Sequence, residues 1–276
     1  MMSNPEQRES TEHRILPIGS VLGVDNEGYL VGQSGADKIV APWDEPVAAI
    51  RDAAVEYLGD ELHRVYVRGS VSRGAAIEGV SDIDSIIVVK NDPDIITKDW
   101  RANLESQIAL QYPFVKGLDF SYQDLATVMA GKSKGPGLFI RIMAACTYGE
   151  DIGPSLPKVK PGRDTLVVAP NIRKRVTDEL QRIPEDIAIR MTRWGTGKRL
   201  VRAGFELVME REQAYTRDLY PAYERFAKYY PEKAEEMYMA MDMALYKPEV
   251  PQQAVDLLAS LGPWLADEYD RLYGVA

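Results

Sequence analysis

Residues 65–89 read VYVRGSVSRGAAIEGVSDIDSIIVV, and the rest of the chain is organised around this stretch. Residues 63–69 and 83–89 are β-branched, apolar runs bounded by Gly, Ser and Asp, the composition of buried strands. Between them lies a small-residue segment that begins Gly69-Ser70, and the second run opens Asp82-Ile83-Asp84. Side chains two apart on a strand share a face, so both carboxylates project together while Ile83 turns inward. Two such charges about 4 Å apart, at an effective dielectric of about 20, repel by roughly 4 kcal/mol, so the pair needs a shared proton or a bound cation. A hard divalent ion suits oxygen ligands, Mg²⁺ above all where phosphates complete the coordination. An EF-hand also begins Asp-x-Asp, but its loop needs an oxygen ligand and a Gly where this chain has Ile86 and Ile87.

The order Gly69-Ser70, Arg73-Gly74, Ser81-Asp82-Ile83-Asp84 and then an apolar strand resembles the signature of the DNA polymerase β type nucleotidyltransferase superfamily. Within it, the stretch is most similar to the small bacterial nucleotidyltransferases that include the aminoglycoside adenylyltransferases. The resemblance implies an α+β fold: an N-terminal nucleotidyltransferase domain with a small mixed sheet flanked by helices, then a C-terminal helical bundle. It further implies that Gly69 and Ser70 contact nucleotide phosphates with Arg73 and Ser81 beside them. Two Mg²⁺ ions would sit on Asp82, Asp84 and a third carboxylate from a later strand, with ATP or another nucleoside triphosphate as substrate. Relatives modify small hydroxylated molecules such as aminoglycosides, and others modify proteins or transfer RNA, so the acceptor stays open. A nucleotide-binding regulator without chemistry is a further reading. Arg68 departs from the pattern, since relatives carry an apolar or aromatic residue there, and residues 1–40 have no counterpart.

Composition narrows the classes. The chain has 276 residues, 45% hydrophobic and 27% charged, enough for two compact domains. No apolar run approaches the roughly 18 residues of a membrane span and the polar start, Met1 to Arg14, lacks a signal pattern, so a cytoplasmic protein is expected. A net charge of −9 argues against an extended nucleic-acid surface. Cys146 is the only cysteine and lies in the apolar stretch 138–147, which reads as a buried thiol; His13 and His63 leave little for a zinc site or a Ser-His-Asp triad.

The expected organisation is an extension over 1–43 with a β-hairpin at 20–32, the nucleotidyltransferase domain over 44–153 and the helical domain over 154–276. Asp44 to Gly59 has Val47, Ile50, Ala54 and Leu58 at helical spacing. Residues 97–111 form a second predicted helix on Trp100, Leu104, Ile108 and Leu110. Residues 112–122, YPFVKGLDFSY, read as a strand with Asp119 embedded between Leu118 and Phe120. A carboxylate there is costly without a partner, which makes Asp119 the candidate third metal ligand and Asp124 the fallback. The competing reading is a helix cap, for which Ser121 is better placed. A helix is predicted over 135–147, a linker over 149–162, and a short extended run at 166–168.

Beyond the linker the periodicity is helical: 171–183, 185–215 as one helix or two parted near Gly195, 232–246 and 252–273. Ala234, Met237, Tyr238, Met241 and Leu245 make one stripe, and Val255, Leu258, Leu265, Tyr269 and Leu272 another. Lys198 and Arg202 share a helix face, with Leu200, Ala203, Leu207 and Val208 opposite. By base rate that basic face is simply solvated, whereas the resemblance implies that a lysine of the helical domain reaches the triphosphate, for which Lys198 and then Arg202 are the candidates. Gly195-Thr196-Gly197-Lys198 is no P-loop, since it lacks the spaced Gly, the following Ser or Thr and a preceding strand. Arg217 and Asp218 are candidates for an acceptor pocket or for bracing a helix junction.

Overall fold

The two apolar runs flanking Gly69-Ser70 fold as neighbouring strands. The computed structural model of the chain describes residues 15–130, 135–193 and 195–274; the polar start, His13 included, lies outside them. Strands β1 (Leu62–Arg68), β2 (Ile83–Val89), β3 (Leu118–Asp124) and β4 (Ala144–Tyr148) form one mixed sheet in the order β3-β2-β1-β4. β1 runs antiparallel to both of its neighbours, and β2 and β3 are parallel.

Alternation along the strands sorts their side chains onto two faces. Val65, Val67, Ile83, Ile87 and Val89 join one core cluster with α1 (Asp44–Leu58) and, beyond the short α2 (Gly69–Ser72), with α3 (Lys98–Gln111). Tyr66, Ile86 and Val88 pack on the other face with Val128 of α4 (Leu125–Met129), Ile140 of α5 (Pro136–Met143) and Leu156. The predicted inward positions of α1, Val47, Ile50, Ala54 and Leu58, are all buried, and burial of each larger aliphatic side chain contributes about 1.5–3 kcal/mol. Leu104 and Ile108 bury the inner face of α3, while Leu110 is 85% exposed.

Several expectations change. The hairpin at 20–32 keeps its turn, with the Asp25 side chain accepting from the Glu27 and Tyr29 amides, but its ladder is one bridge, Val24 to Leu30; Leu22 pairs instead with Tyr215. The strand expected from Tyr112 starts only at Leu118, because Pro113 removes an amide donor, and it runs on to Asp124. Asp124, not Ser121, caps the next helix, accepting from the Thr127 amide at 2.7 Å. The helix expected to continue to Thr147 ends at Met143, and residues 144–148 become β4 along the free edge of β1. Cys146 on β4 is half-buried. Residues 163–165 and 169–171 form two 3₁₀ turns, and 166–168 between them join no strand.

The chain divides into two compact units, one of residues 22–167 with 209–215, the other of 15–21, 168–208 and 216–274. Residues 154–167 therefore stay with the sheet: Leu156 is in its core and the Leu30 amide donates to the Val159 carbonyl. The second unit is all helical, with α6 (Ile172–Leu180), α7 (Pro184–Thr192) and α8 (Thr196–Glu206); α9 (Met209–Glu212) belongs to the sheet unit, and α10 (Leu219–Tyr229), α11 (Ala234–Leu245) and α12 (Pro251–Tyr273) complete the helices. Gly195, at φ +70°, separates α7 from α8. The inner stripe of α11 is Met237, Ala240, Met241 and Ala244, turned from the expected one so that Tyr238 and Leu245 are exposed. Among the described residues no helix is long and apolar enough to cross a membrane.

Helix contacts in this unit are set by small residues. A Cβ added to Gly262 of α12 would lie 2.6 and 2.7 Å from the two Cγ atoms of Val176 on α6. Gly262→Ala is therefore expected to cost about 2 kcal/mol of stability in denaturant unfolding, and Val176→Ala in the same chain to recover part of it. Additive losses in the double variant would contradict the contact.

Candidate active site

The carboxylate geometry follows from register. Arg68 of β1 pairs across the ladder with Asp84 of β2, and Asp84 with Asp119 of β3, so one rung carries Arg68, Asp84 and Asp119 on three adjacent strands. All three belong to the face that holds Tyr66 and Ile86. One guanidinium nitrogen of Arg68, Nη2, lies 2.9 Å from Asp84 Oδ1 and 3.0 Å from Asp119 Oδ2. The same guanidinium lies over the Phe139 ring of α5, 5.5 Å from its centre. Asp84 thus has a counter-charge in the fold itself, an arginine on the neighbouring strand that also reaches Asp119 two strands away.

Asp84 is the inner member of the set. Its side chain is 19% exposed, against 56% for Asp119. Burial, then the neighbouring Asp82 and Asp119 charges, push its carboxyl up to about 6 against the pull of Arg68. Asp82, just before β2, is exposed and adds its field to Asp84, while Ile83 between them is wholly buried, the alternation the pattern predicted.

The turn after β1 is fitted to Asp84. Gly69 has φ +80°, and a Cβ there would lie 2.4 Å from Asp84 Oδ2. Glycine is required twice, for its backbone conformation and for the approach of the carboxylate. Gly69→Ala is expected to lower any Asp84-dependent turnover about a hundredfold through misplacement of the carboxylate, while circular dichroism keeps its parent shape. Turnover equal to the parent's would show that the close approach has no role.

Ser70 donates its hydroxyl to Ser81 Oγ at 3.2 Å, and Ser81 Oγ also accepts from the Ile77 amide at 2.9 Å. Ser81 therefore ties the 69–81 loop shut. Arg73 follows α2, half-buried, its amide donating to the Ser70 carbonyl. Ser72, which the sequence reading passed over, is fully buried and donates to the Gly69 carbonyl at 3.1 Å, fixing the turn from beneath.

The remaining candidates belong to the helical unit. Lys198 is exposed on α8, and Arg202 Nε donates to the Arg217 carbonyl at 3.0 Å. Asp218 Oδ2 accepts from the Ser20 amide at 2.8 Å and from its hydroxyl at 3.3 Å, and Thr216 donates to the Ser20 carbonyl at 2.7 Å. These bonds brace residues 20 and 216–218 within that unit.

Asp82, Asp84 and Asp119 offer carboxylate oxygens alone, a donor set suited to a hard divalent cation and to no soft metal. The upward shift at Asp84, set first by burial and then by the neighbouring carboxylates, marks an anion that such a cation would stabilise. Among the described residues no group of three or more His, Cys, Asp and Glu is gathered to hold a metal as it stands; Asp84 and Asp119 are closed on Arg68 instead. The sequence marks Arg68 only as a departure from the pattern. Only the strand register shows that it meets both acids.

No protein-family model matches the chain, and no curated protein sequence does. Among solved structures the chain is similar to the crystal structure of spectinomycin adenyltransferase AAD(9) from Enterococcus faecialis with ATP and spectinomycin, at 13% sequence identity and a TM-score of 0.48, with 82% of this chain and 98% of that one covered.

Proposed function

We propose that the sheet unit catalyses nucleotidyl transfer, moving AMP from ATP to a hydroxyl of a small, aminoglycoside-like acceptor with release of pyrophosphate. The observation that carries the reading is the fit of the Gly69 turn against Asp84, with Asp119 on the same rung. It brings the Gly69 turn and two carboxylates together at one end of the central strands β1 and β2.

In this reading the Gly69 and Ser70 amides, with the Ser70 hydroxyl turned from Ser81, bind phosphate oxygens, and Arg73 adds a charge-assisted contact. Asp82, Asp84 and Asp119 would hold two Mg²⁺ ions, which when bound supply charge neutralisation at the phosphates and lower the pKa of the acceptor hydroxyl. Asp119, the more exposed carboxylate, accepts the acceptor's hydroxyl proton, a role that needs reach before it needs a tuned pKa.

Pyrophosphate release tests it, with each nucleoside triphosphate and Mg²⁺ against a panel of aminoglycosides and a cell extract, and with Asp82→Asn/Asp84→Asn as blank. Release that depends on the aspartates and on one small molecule is the expected result. Release stimulated only by the extract moves the acceptor to a protein or transfer RNA. Nucleotide bound with no release under any condition overturns the transfer reading in favour of a regulator, for which the closure of Arg68 on the carboxylates also speaks.

A further inference from the structure

Resting on the reading above, we infer that Arg68 is a displaceable counter-cation that makes metal binding at the carboxylates conditional on the triphosphate. Among the described residues Arg68 is the ion-pair partner of both Asp84 and Asp119, and a single nitrogen serves both. A cation bound to those same oxygens at the roughly 2.0–2.1 Å that Mg²⁺ demands cannot coexist with a guanidinium nitrogen lodged between them. The metal and Arg68 therefore compete for one pair of acids.

Displacement has a cost of its own. The Arg68 side chain is only 24% exposed, with its guanidinium held over the Phe139 ring. A part-buried guanidinium stripped of both carboxylates needs another anion. Residue 68 immediately precedes Gly69-Ser70, the turn assigned to the phosphates, so a triphosphate there supplies the replacement partner, and guanidinium suits phosphate oxygens well. Metal alone is then opposed by Arg68, whereas metal delivered with a triphosphate is helped by it. By linkage, the same residue weakens one ligand and strengthens the other.

The experiment uses the full chain with Arg68→Met, of similar length but uncharged, and Arg68→Lys, which keeps the charge without the planar fork. Binding of Mn²⁺ alone is followed by electron paramagnetic resonance, with Asp84→Asn as blank. Binding of Mn²⁺ premixed with a non-hydrolysable α,β-methylene ATP analogue is followed by calorimetry. The expected result is opposite signs: Arg68→Met binds Mn²⁺ alone at least tenfold more tightly than the parent and the premixed complex at least threefold more weakly, with Arg68→Lys between on both. A merely structural role would shift both ligands the same way. Equal Mn²⁺ affinity in parent and Arg68→Met, or a common sign, overturns this inference and leaves the transfer reading standing. No Mn²⁺ bound by parent or variant, with or without nucleotide, overturns the metal reading and this inference with it. Should Arg68→Met melt below assay temperature, Arg68→Lys carries the comparison.

Discussion

Asp84→Asn is expected to lower the proposed nucleotidyl transfer about a thousandfold, the equivalent of about 4 kcal/mol of transition-state stabilisation, while the metal-free protein melts no lower than the parent. The two halves of this expectation have one cause. Asp84 is buried beside two further carboxylates, and its ionised form is disfavoured in the fold despite Arg68. An amide of the same shape keeps the packing against Gly69 and removes the charge. The pH dependence follows with a definite sign. The folded-state carboxyl titrates near 6 against an ordinary value of 3.8, so between those values the folded chain holds the proton more firmly than the unfolded chain. Stability from this group is accordingly greatest below about pH 4 and declines as pH rises to about 6. Melting curves of parent and Asp84→Asn in a chelating buffer at pH 4.5 and 7 measure it: the variant's advantage should widen at the higher pH. A variant that loses activity and also melts well below the parent would make Asp84 a structural residue.

What could be read in the chain was whatever depends on near neighbours. Val47, Ile50, Ala54 and Leu58 announce α1 because one helix face suffices to bury them. Asp82-Ile83-Asp84 announces its geometry because strand alternation is local. The misreadings share the opposite property. Residues 144–148, AACTY, carry weak strand preference and become β4 only because β1, nearly eighty positions earlier, offers an open edge. Helix α10 escaped because Pro221 reads as a breaker, yet it stands in the first turn, where its missing amide is no loss. For the site, Asp119 was marked by the cost of burying an acid in an apolar run, yet its side chain is 56% exposed, and it is the rung with Asp84 that places it. Arg68 was not legible: its meaning lies in a rung across three strands, and no periodicity in the chain encodes the register of β2 on β3.

Glu206→Ala is expected to destabilise the protein by about 3 kcal/mol, the largest single loss of stability in the helical unit. Glu206 ends α8 and is 2% exposed, in a layer otherwise of Leu200, Ala203 and Phe205. Its carboxylate is fixed by main chain. The Val168 amide donates to both oxygens at 3.0 Å, and the Ala169 amide donates to Oε2 at 2.8 Å. Those amides open the 3₁₀ turn Ala169–Asn171 that leads directly into α6, where the turn's own hydrogen bonds cannot reach them. Hydrogen bonds to an ionised acceptor contribute about 1.5–3 kcal/mol each, and a buried amide deprived of its acceptor bears its desolvation in full. Truncation to alanine strands two amides and opens a cavity, so about 3 kcal/mol is a lower expectation, close to 10 °C in melting temperature for a domain of this size. Glu206→Gln separates charge from shape. With its carbonyl oxygen at the Oε2 position it still accepts from both amides and loses the charge alone, with an NH₂ group beside the Val168 amide, so it should lose clearly less than alanine. A glutamine variant as unstable as alanine would mean that the charge, not the acceptor oxygen, is what the two amides need.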